Sequence, residues 1–210
     1  MTHITTDYFD GLIKTYDEVF SVEEISEMCH EIRYLEYLWG MSDDANDSIP
    51  TGLSTSNGLT NIDLSQKKFY KKCWSFMEKN IPELDGYYEA RHHVNIFAKN
   101  ELAKYHFDNQ VQPSYTVMFY ANTDWHIEQN GETKFLLRKE HIQNSKDILT
   151  NSEEYPIILS IAPIPGRIVM FKGNVLHAAT PFTHMHRFTA AWHFVENGEQ
   201  HQKRLKFKND

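Results

Sequence analysis

Beyond residue 87, turn chemistry interrupts the sequence at short intervals, and that punctuation restricts the chain to an architecture of short strands. Apolar and β-branched runs fall at 88–98, 102–108, 114–121, 132–138, 156–162, 166–172, 174–181 and 187–195. Asn130-Gly131 is the dipeptide a tight hairpin favours, and Pro165-Gly166 and Gly173-Asn174 mark further turns. Residues 140–155 read as an insertion between two of these strands.

The first third carries a different period. Ser21 and Glu24 form a capping-box pattern, after which Ile25, Cys29, Ile32, Leu35 and Trp39 recur at helical spacing up to Gly40. A second helix is expected from about Asp63, with Phe69, Cys73, Trp74 and Met77 on one stripe. The polar, turn-rich stretch 41–61 between them reads as a long loop, and Asp43, Asp44 and Asp47 as its solvated acidic face. Two helices followed by about eight short strands predict an α+β fold, an antiparallel barrel or sandwich backed by helices. A single domain is expected, with helical support and loop at 1–86, a β-rich core at 87–196 and a polar tail at 197–210.

Composition narrows the function classes. The 210 residues are 40% hydrophobic and 13% aromatic, enough for a substantial core. A net charge of −8 argues against a phosphate-tracking or anionic-membrane surface. Lys203, Arg204, Lys206 and Lys208 form a basic tail that reads as a solvated terminus. Cys29 and Cys73 are too few for a disulfide scaffold, and the N-terminal stretch has no signal-peptide pattern, so a soluble cytoplasmic protein is expected.

The chemistry centres on His106-Phe107-Asp108. With 12 histidines and 12 aspartates in 210 residues, chance alone supplies about one His-x-Asp, so the tripeptide needs company. On a strand, side chains alternate, which would set His106 and Asp108 on one face. A second imidazole from a distant strand would then complete a 2-His-1-carboxylate set able to hold Fe(II) with open positions opposite. His177 is the best third ligand, since it follows two apolar runs. Ten residues later comes Arg187, and a guanidinium inside a barrel calls for an anion, best a bidentate carboxylate. A metal triad with a nearby arginine implies a dicarboxylate co-substrate.

His106-x-Asp108, His177 and Arg187 with Thr189 two residues on resemble the signature of the Fe(II)/2-oxoglutarate-dependent dioxygenases. The stretch "YTVMFYANTDWHIEQNGETKFL" is similar to the segment after the His-x-Asp in the prolyl-4-hydroxylase-like branch. The resemblance spans roughly residues 88–195 and implies a double-stranded β-helix, or jelly roll. It implies iron ligation by His106, Asp108 and His177, and binding of the distal 2-oxoglutarate carboxylate by Arg187 with Thr189 and Tyr120. It also implies O2 as oxidant, ascorbate as a further cofactor, and a prolyl residue of a peptide or protein as substrate. A free amino acid or small metabolite is the alternative. Asn95, Tyr105, Trp125 and Trp192 are the expected substrate-lining residues. The chain departs from the branch where Asn95 and Phe97 stand in place of a tyrosine, and from collagen-type members where Arg187 replaces a lysine.

Other histidine patterns are weaker. His126-x-Glu128 precedes the Asn130-Gly131 turn and reads as loop surface. His184 and His186 lie in a polar turn, and His92 and His93 are adjacent, hence on opposite faces of a strand. A cupin-like metalloprotein would need the barrel and the histidines but would have no use for Arg187, and a non-catalytic binding module built on a degenerate barrel would bind no Fe(II).

Overall fold

The computed structural model describes residues 2–39, 52–56, 63–110, 113–138 and 157–196. Eleven strands and two α-helices run in the order β1 (Ile4–Tyr8), β2 (Ile13–Asp17), α1 (Val22–Arg33), β3 (Leu38–Trp39), β4 (Leu53–Ser56), α2 (Lys68–Asn80), β5 (Tyr88–Phe97), β6 (Ser114–Tyr120), β7 (Thr133–Leu137), β8 (Ile157–Ile161), β9 (Ile168–Lys172), β10 (Leu176–Ala179) and β11 (Arg187–Val195). They form an eight-stranded sheet, β1-β2-β9-β6-β11-β5-β4-β3, and a three-stranded sheet, β10-β7-β8. Every pairing between these strands is antiparallel.

Strand parity sorts the core into two layers. On β6 and β11, Val117, Phe119, Phe188, Ala190, Trp192 and Phe194 belong to the cluster packed against the helices. The alternate residues Met118, Tyr120 and Ala191 join Phe135, Leu137, Val169 and Phe171 in a second cluster, which includes residues of both sheets. The period of two divides one run of sequence between two compartments.

Both helices pack on the first layer. Ser21 caps α1: its hydroxyl accepts from the Glu24 amide at 3.2 Å, and its own amide donates to the Glu24 carboxylate at 2.9 Å. Met28, Cys29 and Ile32 are its buried face. Helix α2 has no side-chain cap of its own. Instead Glu31 of α1 accepts from the Lys68 and Phe69 amides, at 3.1 and 2.8 Å, so a carboxylate from one helix satisfies the N-terminus of the other. Gly166 seats α1 on the sheet. Its φ is +79°, and a Cβ there would lie 2.4 Å from Ile25 Cδ1.

Several expectations change. The helical pattern does not continue to Trp39, because α1 ends at Arg33 and Leu38 and Trp39 pair with Ser54 and Leu53 at the sheet edge. Among the described residues the first third therefore contributes four strands as well as helices; β4 arises within the stretch read as loop. Residues 102–108 are not a strand: His106 alone forms an isolated bridge to His177. Asn130-Gly131 adopts positive φ at both residues but follows a 3-10 turn at Ile127–Gln129, so it leads into β7 and does not join two paired strands. The acidic cluster 43–47, the insertion at 140–155 and the tail at 197–210 lie outside the described residues. Among those described, no helix is long and apolar enough to cross a membrane.

Candidate active site

The bridge at His106 builds the centre of the site. The His106 amide donates to the His177 carbonyl at 3.0 Å and the His177 amide returns the bond at 3.1 Å, setting the two side chains next to each other. Each ring then makes the same local contact: His106 Nδ1 lies 3.0 Å from the Lys104 carbonyl and His177 Nδ1 3.0 Å from the Val175 carbonyl. A carbonyl only accepts, so both Nδ1 atoms carry the hydrogen and both Nε2 atoms present lone pairs. Those Nε2 atoms face Asp108, at 3.6 Å from Oδ1 for His106 and 3.7 Å from Oδ2 for His177. The ligand atoms of His106, Asp108 and His177 lie within 4.8 Å of one another. Two imidazole nitrogens and one carboxylate oxygen converging in this way fit a divalent iron, which takes imidazole and carboxylate together and leaves open positions.

Their surroundings suit a charged centre. His177 is 5% exposed and packs between the rings of Phe135 and Phe171. Burial alone would raise the pKa of Asp108; without an ion, positive charge on the surrounding imidazoles of His193, His177 and His106 outweighs that and holds the carboxyl well below the usual carboxylate range, the part a bound cation would take over. Asp108 therefore stays an anion.

Behind Asp108 lies a group that the sequence reading missed. Arg91 Nη2 donates to His193 Nε2 at 3.1 Å, since a guanidinium has no lone pair to offer. His193 Nδ1 must then carry the hydrogen, which it shares with Thr116 Oγ1 at 3.2 Å. Thr116 in turn donates to Asp108 Oδ2 at 2.7 Å. The signal was present as parity, because His193 is six residues after Arg187 on the same strand and so shares its face. Replacing Thr116 by Val should weaken Mn(II) binding about tenfold, the ordinary cost of losing a partner that orients a ligand. Thr116→Ser should restore it; titration followed by electron paramagnetic resonance reads both.

Arg187 is 3% exposed and anchors the other end of the interior. Its Nε donates to the Gly131 carbonyl at 3.0 Å, Nη1 to Thr189 at 2.7 Å and Nη2 to Thr133 at 2.9 Å. Of a guanidinium's five N–H groups, that leaves one on each terminal nitrogen. Among the described residues, no carboxylate lies within ion-pairing distance of it. Tyr120 lies against the guanidinium, 5.3 Å from ring centroid to Cζ, and its hydroxyl bonds Thr133 at 2.7 Å. One N–H left on each terminal nitrogen of a buried cation suits the two oxygens of one carboxylate.

The profile of the 2OG-Fe(II) oxygenase superfamily matches residues 91–195. The chain belongs to this superfamily. The fold of this oxygenase is accordingly the double-stranded β-helix. It is similar to a Pseudomonas putida prolyl-4-hydroxylase, with TM-score 0.63, 13% identity, and coverage of 89% of this chain and 94% of that one. It is similar also to a Trichoplax adhaerens prolyl hydroxylase solved with a hypoxia inducible factor peptide fragment, with TM-score 0.66, 14% identity, and coverage of 91% and 86%. A third similar structure is HygX from Streptomyces hygroscopicus with nickel and 2-oxoglutarate bound, with TM-score 0.61, 10% identity, and coverage of 88% and 82%. HygX has also been solved with hygromycin B. No curated protein matches the oxygenase in sequence.

The remaining expected site residues divide. Asn95 sits on β5 directly opposite Thr189, facing the interior. Tyr105 is 47% exposed at the surface beside His106. Trp125 is half-buried in the loop before β7, its indole donating to the Asn130 carbonyl at 2.8 Å. Trp192 is a correction. It is 1% exposed and packs on Phe69 and Tyr70 of α2, on the helix side of the sheet. Arg187 and Thr189 point inward, so a residue of the opposite parity on the same strand cannot line the site. His126 and Glu128 are exposed, and His186 Nδ1 accepts from the Lys99 amide at 3.2 Å.

Proposed function

We propose that this oxygenase hydroxylates a substrate C–H bond while 2-oxoglutarate is decarboxylated to succinate and CO2. One atom of O2 enters the new hydroxyl and the other enters succinate. His106, Asp108 and His177 would hold Fe(II), which when bound supplies the oxygen-activating chemistry. The protein's own part is placement. The two Nδ1-anchored imidazoles hold their Nε2 lone pairs fixed, Thr116 holds one carboxylate oxygen of Asp108, and Phe135 and Phe171 keep water from His177. Arg187 takes the distal carboxylate through its two remaining N–H groups, with the Thr189 hydroxyl beside it and Tyr120 against its face.

The observation that carries this reading is the buried guanidinium whose hydrogen-bond partners among the described residues are all neutral, on a strand whose inward face also reaches Asp108 through His193. A cupin-like metalloprotein has no need of it. The sequence reading puts a prolyl residue first as substrate and a free amino acid or small metabolite second. The similar structures include one with a peptide and one with hygromycin B. Ascorbate, if used, would keep the iron ferrous, and the two free, buried thiols Cys29 and Cys73 fit a reducing, cytoplasmic setting.

The deciding measurement is succinate formation from 2-oxoglutarate with Fe(II), with and without prolyl peptides and free amino acids. Succinate above the metal-free control is expected even without substrate. Tight Fe(II) binding with no 2-oxoglutarate consumption under any condition would leave the cupin-like reading in its place.

A further inference from the structure

We propose that the wall beside the metal ligands binds a small polar substrate, holding a hydroxyl or amine next to the oxidised carbon through Asn95 and His93, and does not take a prolyl ring. The inference rests on the oxygenase reading and narrows its substrate. Register places the wall. Thr189 and Ala191 of β11 face inward, and their partners on β5 are Asn95 and His93. On the far side of β5, buried Ser54 of β4 stands opposite Asn95. His93 stacks on His193 with ring centroids 5.1 Å apart, and His193 Nδ1 lies 3.9 Å from Asp108. The wall is therefore next to the iron-binding carboxylate and on a different strand from Arg187.

Two atoms in it have no partner. Asn95 Oδ1 and His93 Nδ1 are buried without any hydrogen bond, and His93 as a whole is 7% exposed. Burial, followed by the neighbouring Arg91 charge, lowers His93 to about 3, so it is a neutral ring able to accept or donate. Unpaired buried polar groups are costly and rare in folded proteins, and two on neighbouring inward positions mark a surface completed by a ligand. Asn95 Oδ1 requires a donor. A prolyl residue has no N–H and an apolar ring, so the ring itself offers neither atom a partner. Nor does β11 offer a phenyl or indole ring to stack on, because Phe188, Trp192 and Phe194 lie in the helix-side core and the inward ring of His193 is already stacked on His93. An amino or hydroxyl group on a small molecule satisfies what a pyrrolidine cannot.

The test uses the full chain loaded with Fe(II) and 2-oxoglutarate. The free proteinogenic amino acids form one panel and proline-containing peptides the other. Hydrophilic free amino acids should stimulate succinate formation at least about tenfold above the substrate-free rate. Asn95→Leu and His93→Leu should remove that stimulation while the Tm of the metal-free protein stays level or rises, since each change deletes an unpaired polar group. Stimulation confined to prolyl peptides overturns the proposal. So does a fall in Tm of more than about 2 °C in both variants, which would make these groups structural. Absence of both Mn(II) binding and substrate-free succinate formation in the unmodified chain would instead defeat the oxygenase reading, so the two failures are separable.

Discussion

Arg187→Ala should raise the KM for 2-oxoglutarate by at least about a hundredfold while the protein still binds Fe(II). Removing one partner of a buried, hydrogen-bonded charge pair costs about 2–5 kcal/mol, and each 1.4 kcal/mol is tenfold, so two orders of magnitude lie within that range. The guanidinium touches none of the three proposed metal ligands; its bonds go to Gly131, Thr133 and Thr189. Metal affinity should therefore move little. Truncation also strands the Gly131 carbonyl, so some loss of Tm is expected, and Arg187→Lys provides the control. Lysine keeps the charge but offers a point donor in place of a fork, so its KM should fall between the two. Succinate production across a 2-oxoglutarate series, alongside Mn(II) titration, reads both effects. An unchanged KM in the Ala variant would remove Arg187 from the co-substrate site.

Asp108→Ala should lower succinate formation by about a thousandfold or more, because it removes the carboxylate of the cluster that positions the ion and offsets its charge. Stability gives a second readout that needs no turnover. An ion that binds only the folded state raises Tm in proportion to the logarithm of its concentration over Kd. Adding Mn(II) should thus raise the Tm of the unmodified protein and leave that of the variant almost where it was. A variant that keeps the full shift would place the ion elsewhere.

These effects concern side chains visible in the sequence to unequal degrees. Strands β5 to β11 were legible because Gly, Pro and Asn punctuate the chain between apolar runs, and period two survives in a sheet buried on one or both faces. Strands β1 to β4 were not. Ile4–Tyr8 and Leu53–Ser56 are rich in Thr and Ser and carry no apolar run, and Leu53–Ser56 owes its pairing to β5, far along the chain. Helix α1 was correct at its start, where the Ser21 box is local chemistry, and wrong at its end, where sheet pairing of Leu38 and Trp39 overrides an apolar spacing that merely continues the pattern. The proximity of His106 and Asp108 was expected from strand alternation. The structure reaches it through a single bridge followed by a bend. Trp192 shows the reverse: the rule that placed Arg187 inward already placed Trp192 outward. Thr116 and Arg91 carry no motif, because their role depends on which atoms meet.

The paired main-chain bonds between His106 and His177 have a consequence for ion choice. Those bonds and the Nδ1 contacts to Lys104 and Val175 set the two imidazole nitrogens before any cation arrives, so at the proposed site manganese, cobalt, nickel and iron would meet the same aperture. Discrimination among them then falls to intrinsic affinity, which climbs from manganese towards copper along the first transition row, and to supply. The growth medium and the purification buffer, more than the polypeptide, will dictate which ion co-purifies, and inactive preparations will be restored by stripping and reloading under anaerobic conditions.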